Sequence, residues 1–555
     1  MSYDEETIEI EFRLPQYAIV NGKFPILSQE LIEYTADYLW DEPVQLARCC
    51  LVCRAWYHAA IRHLRKTVHV ESHNAMSDLV HILMSKREPN IRYARALKSL
   101  VIADSFGKPF AHTFPLRLPI ELITALESLE LSSVDWTKPR FHPNFFKYFS
   151  RFTSVTALYF WRCRFRSTED FQRIINRLPN LKTLNLESVT VLRATSMLKD
   201  AHGAHCGNPV VRPEPRALCI WGSRSDGDRS EETPSLHTQP LHESVLNVLA
   251  SYSTEIIELR LSTTQFPSFL RLQSFLRNFP RLRIIALEGT PQWRVPDSSL
   301  DIESALLVTD AGIDTWDELY LIDMSSAVTA AFVELFLAQY RKVRELDISI
   351  RGLPSLALNR AVTALTQLSA RTLTKFHWEL LAPPEEWSQY EPAQAEHPIP
   401  SLLIGNTRLE YLDVKLHTPS RLSMAWVYRT LLGLFSRIGS TRLERVLVAF
   451  ELPKMWSGNL DPDTPTLPPT GAIAAFHAAL SREEFAGLTE LAKWENPPVR
   501  IMFNYQTDLP SAPDEVSRAS DAIAAFMDPL FEPWGRCRGL VHIEMPDESW
   551  VDYDP

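Results

Sequence analysis

The chain has 555 residues, 45% of them apolar and 23% charged, with a formal net charge of −11, which is the balance of a soluble globular protein. The acidic balance and the lack of a long Lys/Arg run argue against nucleic acid as a partner. No stretch approaches the ~18 consecutive apolar residues of a membrane span, and the acidic start does not resemble a signal peptide, so we expect no membrane partner.

The first part of the chain predicts a short arm followed by a small helical module. Residues 1–23 are interpreted as a loosely ordered arm and residues 24–70 as the module. Ser28 is a suitable N-cap for a first helix, and Pro43 suits the first turn of a second. The block holds more apolar side chains than a unit of this size can bury. Part of its surface should therefore be covered by a partner.

This block resembles the F-box family, especially the fungal form with its Leu-Val-Cys-Arg-x-Trp signature. The matching residues are Leu27-x-x-Glu30-Leu31-Ile32, Leu39, Leu46, Cys50-Leu51-Val52-Cys53-Arg54-Ala55-Trp56 and Leu64. Ser28 stands where the family usually has Pro, and Arg65 where an aromatic residue often follows. The resemblance implies docking onto a Skp-family adaptor, which hangs from a cullin–RING ligase. It assigns the adaptor contact, shared with the module's own core, to Leu27, Leu31, Leu39, Leu46, Leu51, Val52 and Trp56.

The cysteines offer an alternative chemistry in the same block. Cys50 and Cys53 have the spacing of a zinc or redox pair, but zinc requires about four ligands and no second pair lies at suitable spacing. A redox pair would require a βαβ context that the sequence lacks here. We therefore expect no metal and no cofactor, and interpret these cysteines as small buried side chains. Seven thinly spread cysteines indicate a reduced compartment, cytoplasm or nucleus.

Residues 71–555 contain a repeated apolar pattern at positions 1, 4 and 6, the L-x-x-L-x-L core of a leucine-rich repeat. The pattern starts at Leu97, Leu126, Val155, Leu181, Ile256, Leu282, Trp316, Val343, Leu373, Leu409, Leu443 and Leu540. Helix-like stretches separate the starts. The prediction is an α/β fold: an irregular leucine-rich-repeat solenoid with a curved parallel sheet inside and helices outside. The alternative is an ordinary doubly wound α/β domain.

Three polar segments interrupt the repeats. Residues 199–238 are rich in Gly, Pro and Ser and predict a long disordered loop. Residues 383–400 and 453–470 predict shorter loops.

The residues between the apolar positions of each predicted strand should point away from the core, onto the concave face. We expect this face to bind a target protein through Glu130, Tyr159, Arg260, Tyr320, Asp347, His377 and Asp413. A phosphorylated target would require an Arg cluster that the face lacks. His377 with Asp347 and Asp413 could resemble an acid–base group, although a solvated binding face is the simpler interpretation.

The order of module and repeats leads us to expect a substrate receptor of a Skp-cullin-F-box ubiquitin ligase that is not itself an enzyme. No catalytic motif of a hydrolase, zinc protease or nucleotide-binding loop occurs in the sequence. Two alternatives remain. The chain could be a scaffold that binds partners without promoting ubiquitination, or an enzyme with an unrecognised site in the repeats.

Overall fold

The structure is a computed structural model. It describes residues 27–39, 42–64, 66–104, 109–137, 141–193, 212–222, 240–291, 293, 315–339, 341–381, 403, 405–418, 422–452, 468–491, 497–505, 513–535, 539–547 and 550–552. The predicted arm at residues 1–23 lies outside this part of the chain.

The module consists of three helices, α1 (Gln29–Tyr38), α2 (Pro43–Cys50) and α3 (Arg54–Leu64). The predicted cap is confirmed, because the Ser28 hydroxyl accepts a hydrogen bond from the Leu31 backbone N–H at 3.4 Å. Pro43 occupies the first turn of α2, as predicted.

The three helices share a small core of their own. Its buried residues are Ile32, Ala36, Leu46, Ala59 and Ala60. The His63 ring, on α3, also hydrogen bonds to the Asp37 carboxylate, on α1, at 2.7 Å. The module is therefore held together independently of the larger core that follows it.

The helical block ends at Leu64, so the predicted boundary at residue 70 is wrong. Residues 67–70 form a strand that pairs in parallel with residues 99–102. Val70 is buried in the large core that follows the module. The helical periodicity of α3 stops before this strand, whose alternating Val68 and Val70 are typical of a half-buried strand.

The strands are β1 (Thr67–Val70), β2 (Ser99–Ala103), β3 (Ser128–Ser132), β4 (Ala157–Trp161), β5 (Arg164–Ser167), β6 (Thr183–Glu187), β7 (Thr190–Arg193), β8 (Ala217–Trp221), β9 (Glu258–Ser262), β10 (Ile284–Glu288), β11 (Thr315–Ser325), β12 (Lys342–Arg351), β13 (Lys375–Leu381), β14 (Tyr411–His417), β15 (Arg445–Leu452), β16 (Val499–Tyr505), β17 (Val541–Glu544) and β18 (Trp550–Asp552).

The helices of this region are α4 (His73–Met84), α5 (Glu88–Ala96), α6 (Phe114–Arg117), α7 (Phe145–Phe149), α8 (Thr168–Ile175), α9 (Glu243–Ala250), α10 (Phe269–Leu276), α11 (Ser326–Leu337), α12 (Leu356–Leu368), α13 (Met424–Phe435), α14 (Thr470–Leu480), α15 (Ala486–Glu490) and α16 (Pro513–Gly535). Short 3-10 turns lie at Ile120–Leu122, Thr263–Gln265 and Glu483–Phe485.

Sixteen of the described strands form one sheet, and their order follows the chain, with β5 and β7 paired separately. Successive pairs are parallel, except that β18 is antiparallel to β17. A doubly wound sheet would reverse its order at a switch point, and the described strands do not do so. The fold is mixed α/β with a large, mostly parallel sheet.

The sheet keeps its apolar positions in register from strand to strand. Leu100 is aligned with Leu129, and Leu129 with Leu158. Each of the twelve predicted patterns falls on a strand of the sheet. The apolar side of these strands and the buried sides of the helices form one continuous core from Val70 to Met545.

Several strands end in the same turn. The residue after the strand has a positive φ at Ser133, Arg162, Ser188, Gly289 and Gly352. At Ser133, Arg162 and Gly289 the N–H of this residue donates to a carbonyl of the next strand, as from Ser133 to the Trp161 carbonyl at 2.7 Å. Gly289, at φ +92°, lies where a residue with a Cβ would be strained.

One predicted loop contains a strand, which corrects the prediction for residues 199–238. Ala217–Trp221 is β8 and pairs in parallel with both β6 and β9. The run Ala-Leu-Cys-Ile-Trp buries three consecutive side chains, a stronger local signal than the Gly, Pro and Ser around it. The flanking 199–211 and 223–238, all of 383–400 and most of 453–470 lie outside the described residues.

Candidate functional site

The described residues contain two surfaces that could bind another molecule. One is an exposed apolar surface on the helical module. The other is the polar face of the sheet, opposite the buried apolar residues of the strands.

The module presents apolar side chains to solvent along one side of α1. Leu31, Tyr34 and Tyr38 are all exposed, at spacings of three and four residues that place them on one helix face. Leu27, just before the helix, is exposed as well. The opposite side of α1 is apolar too, since Ile32 and Ala36 are buried in the module core. A helix that is apolar on both sides has more apolar surface than its own module covers.

Further apolar side chains are exposed at both ends of α2. Val44 is 61% exposed, Leu51 86% and Val52 65%. We call this set the module face; its residues are Leu27, Leu31, Tyr34, Tyr38, Val44, Leu51 and Val52. Eight of the nineteen exposed large hydrophobic side chains of the described residues lie between Leu27 and Tyr57, so exposure is concentrated in this module.

The structure divides the residues that the sequence assigned jointly to adaptor contact and module core. Leu27, Leu31, Leu51 and Val52 lie on the module face. Leu46 is only 1% exposed and lies in the module core, one of the two roles that the sequence left undivided. The other two, Leu39 and Trp56, are partly buried against the core.

The cysteines of the module also differ in exposure, and some exposed residues of the module were not predicted from the sequence. Cys53 is exposed and Cys50 only partly buried, so the expectation of buried cysteines is wrong for Cys53. Tyr34, Tyr38 and Val44 were not predicted. The spacing of the two tyrosines behind Leu27 and Leu31 could have identified them.

The polar face brings four of the predicted target-binding residues into one row. Tyr320, Asp347, His377 and Asp413 are direct neighbours in register on β11–β14. They line an open cavity of about 780 Å³, here called the charged pocket. Its other charged or polar lining residues are Glu345, Lys375, Tyr411, Lys415 and Arg445. Most of these flank the predicted row by two positions on the same strands.

His377 lies at the centre of the charged pocket among carboxylates. Its Nδ1 is 3.1 Å from Asp413 Oδ2, and its Nε2 is 3.9 Å from both Asp347 and Glu379. Burial alone would lower the pKa of His377, but the carboxylates of Asp413 and Glu379 outweigh burial and raise the pKa to about 9. Burial and neighbouring carboxylates raise the pKa of Asp347, against the opposing charge of His377.

A histidine that is protonated at neutral pH does not act as a general base there. Some of the other polar groups of the charged pocket already have partners within the chain. Lys375 pairs with Glu345 at 3.0 Å, and the Tyr320 hydroxyl donates to Glu318 at 2.8 Å. Burial, together with Glu318, raises the pKa of Tyr320. This arrangement suits ion pairing and hydrogen bonding with a polar partner.

Two further predicted residues, Glu130 and Tyr159, line a separate cavity of about 420 Å³ on the same face. We call it the aromatic pocket; its residues are Glu130, Tyr159, Phe160, Trp161, Asn185, Glu187 and Trp221. Arg260 lines neither pocket and instead pairs with Glu258 on its own strand at 2.7 Å. The predicted face thus contains two separate pockets, with Arg260 between them along the sheet order.

The residues of the aromatic pocket that sequence reasoning missed are Trp161, Glu187 and Trp221. Trp161 and Glu187 each follow a predicted apolar position at the end of the strand, where alternation turns the side chain back to the polar face. Trp221 lies on β8, which the repeated pattern did not predict. Among the described residues, no cluster of His, Cys, Asp or Glu has the arrangement of a metal site, and no helix is long and apolar enough to span a membrane.

No protein-family model matches the chain, and no curated protein matches it by sequence.

Proposed function

We propose that the chain is a substrate receptor of a Skp-cullin-F-box ubiquitin ligase. In this proposal α1–α3 are the F-box and dock on a Skp-family adaptor. The sheet and its helices form a leucine-rich-repeat solenoid whose polar face binds a target protein. The chain performs no covalent step itself.

The module face is the observation that carries the proposal. Leu27, Leu31, Leu51 and Val52 are residues to which the F-box resemblance assigns the adaptor contact, and all four are exposed. Apolar side chains of this size lose free energy when a partner covers them, roughly 1.5–3 kcal/mol for full burial of each. A protein partner is the economical explanation for so many in one small module.

The polar face supports the second half of the proposal. It has rows of mixed charge with aromatic side chains among them, which is the composition of an anchor surface for a protein. The two pockets lie on different groups of strands, β3–β8 and β11–β15, so a target could contact both.

Function then follows from proximity. A chain that holds the adaptor at one end and a target along the sheet raises the concentration of target lysines near the ubiquitin-charged enzyme, as a bivalent linker does. A non-degradative scaffold would use the same two surfaces, so only the fate of the bound target distinguishes the two functions.

The test compares the chain with a Leu31→Asp/Val52→Asp double variant. The control is Leu356→Asp on α12. The Leu356 side chain is 64% exposed, nearly the same exposed fraction as that of Val52. Each is purified by affinity from cells with the proteasome blocked, and the half-lives of co-purifying proteins are then measured without the block.

We expect all three proteins to recover the same target. Only the original chain and the control should recover the adaptor, and the double variant should lengthen the target's half-life. Failure of the original chain to recover the adaptor would refute the proposal. Adaptor recovery with no change in any partner's half-life would favour the scaffold.

A further inference from the structure

The aromatic pocket combines aromatic rings with carboxylates in two rows of the sheet. One row holds Trp161, Glu187 and Trp221, aligned in register on β4, β6 and β8. The neighbouring row, two residues earlier on each strand, includes Tyr159 on β4 and Glu130 on β3. Two indoles therefore flank a carboxylate, with a phenol and a second carboxylate beside them.

The spacing of the strands sets the width of the pocket. Adjacent strands lie about 4.8 Å apart, so the backbones that carry Trp161 and Trp221 are roughly 10 Å apart with Glu187 between them. A flat group can enter such a gap and contact ring faces and carboxylate together. The cavity of about 420 Å³ is within the range of roughly 300–1,000 Å³ that accommodates small ligands.

The charged residues that line the aromatic pocket are both acidic. Among the described residues, neither Glu130 nor Glu187 forms an ion pair, and no basic side chain lines the cavity. Burial raises the pKa of Glu130, the charge of His69 opposes this shift, and the charge of Glu187 adds to it. An incoming cation would offset burial and the charge of Glu187. The charged pocket differs in this respect, because it contains its own lysines and arginine.

We propose that the aromatic pocket binds an arginine side chain presented by the target protein, so this inference rests on the proposed function. Aromatic faces attract a cation, and the planar guanidinium both stacks on indole rings and forms a fork of hydrogen bonds to a carboxylate. Trp161 already takes such a contact from within the chain, since the Arg162 guanidinium lies 4.4 Å from its ring centroid. Arg162 is not among the residues that line the cavity.

The direct test uses two probes of nearly the same shape. N-acetyl-arginine amide carries the cation, and N-acetyl-citrulline amide replaces the guanidinium with a neutral urea. Binding of each to the full chain is measured by saturation-transfer NMR on the probe. We expect the arginine probe to bind at least about fivefold more tightly, and its affinity to fall with added salt.

Variants locate the binding. Glu187→Gln keeps the shape of the side chain and should weaken the arginine probe at least about fivefold, and Trp221→Leu should do the same. Glu345→Gln, which removes a carboxylate from the charged pocket on the same face, is the matched control and should leave affinity unchanged. Glu187→Gln keeps the test decisive if Trp221→Leu disturbs folding.

Equal affinity for the two probes, or equal loss in Glu187→Gln and Glu345→Gln, would overturn the assignment. These results are separable from the proposed function. If the probe fails while the adaptor still binds and target turnover still depends on the module, only the pocket assignment is wrong. If the probe binds as expected but the adaptor does not, the cation site stands and the receptor function fails.

Discussion

His377 is the single residue whose environment makes the sharpest prediction. The groups that face it are Asp347 on β12, Asp413 on β14 and Glu379 on its own strand. Lys415, on β14, lines the same pocket and acts on Asp347. Its pKa of about 9 is above the usual value of 6.5. Protonation of His377 therefore stabilises the fold. That stabilisation is complete below about pH 6.5 and is lost as the pH rises through 9.

We expect the melting temperature of the chain to exceed that of His377→Gln most clearly near pH 6.5. The difference, corresponding to a free energy of unfolding on the order of 2 kcal/mol, should shrink as the pH approaches 9.5. Taking the difference between the two proteins at each pH removes the effect of other titrating groups. A difference that stays constant from pH 6.5 to 9.5 would show that the carboxylates do not hold the proton on His377.

Single-residue reasoning from sequence succeeded where one periodicity decides the outcome. Strand alternation placed Tyr320, Asp347, His377 and Asp413 on one face, and they lie in one row. It did not separate Leu46 from Leu51, which are close in the chain but buried and exposed respectively. That difference depends on where α2 ends and how α3 packs on it, which no local pattern contains.

At the scale of elements, the repeated apolar pattern found the strands in which positions 1, 4 and 6 are all apolar. It missed β16, where position 1 is the polar Asn496, and β8, where position 1 is Pro215. Pro215 is buried nonetheless, so this repeat keeps a buried residue at position 1 although the residue type differs from the leucine-like consensus. A pattern based on residue identity cannot detect such a substitution.

Strand β1 gives a prediction at the same scale. It covers the first edge of the sheet, and the Ser99 N–H of β2 donates to the Lys66 carbonyl at 2.8 Å. A chain that begins at Lys66 should retain this edge, whereas one that begins at Ser72 exposes it and loses the burial of Val70, worth about 1.5–3 kcal/mol.

Hydrogen exchange measures the difference between the two shortened chains. The amides of Ser99–Ala103 should be protected in the chain from Lys66 and exchange much faster in the chain from Ser72. The amides of β12, far along the sheet, serve as the internal control and should not differ. Equal protection of β2 in both chains would contradict the claim that β1 covers the edge of the sheet.

At the scale of the whole molecule, two separate cores carry two separate surfaces. The module core of Ile32, Ala36, Leu46, Ala59 and Ala60 is distinct from the core of the sheet. Substitutions on the module face should therefore leave the polar face of the sheet unchanged. Substitutions on the polar face should likewise leave the module face unchanged. This independence allows the two halves of the proposed function to be tested one at a time.

The central claim is that the module face binds a Skp-family adaptor. Calorimetric titration of the purified adaptor into the purified chain tests it most directly. We predict one adaptor per chain, at least about a hundredfold weaker binding for Leu31→Asp/Val52→Asp, and unchanged binding for Leu356→Asp. No binding by the original chain, or equal binding by the double variant, would contradict the claim.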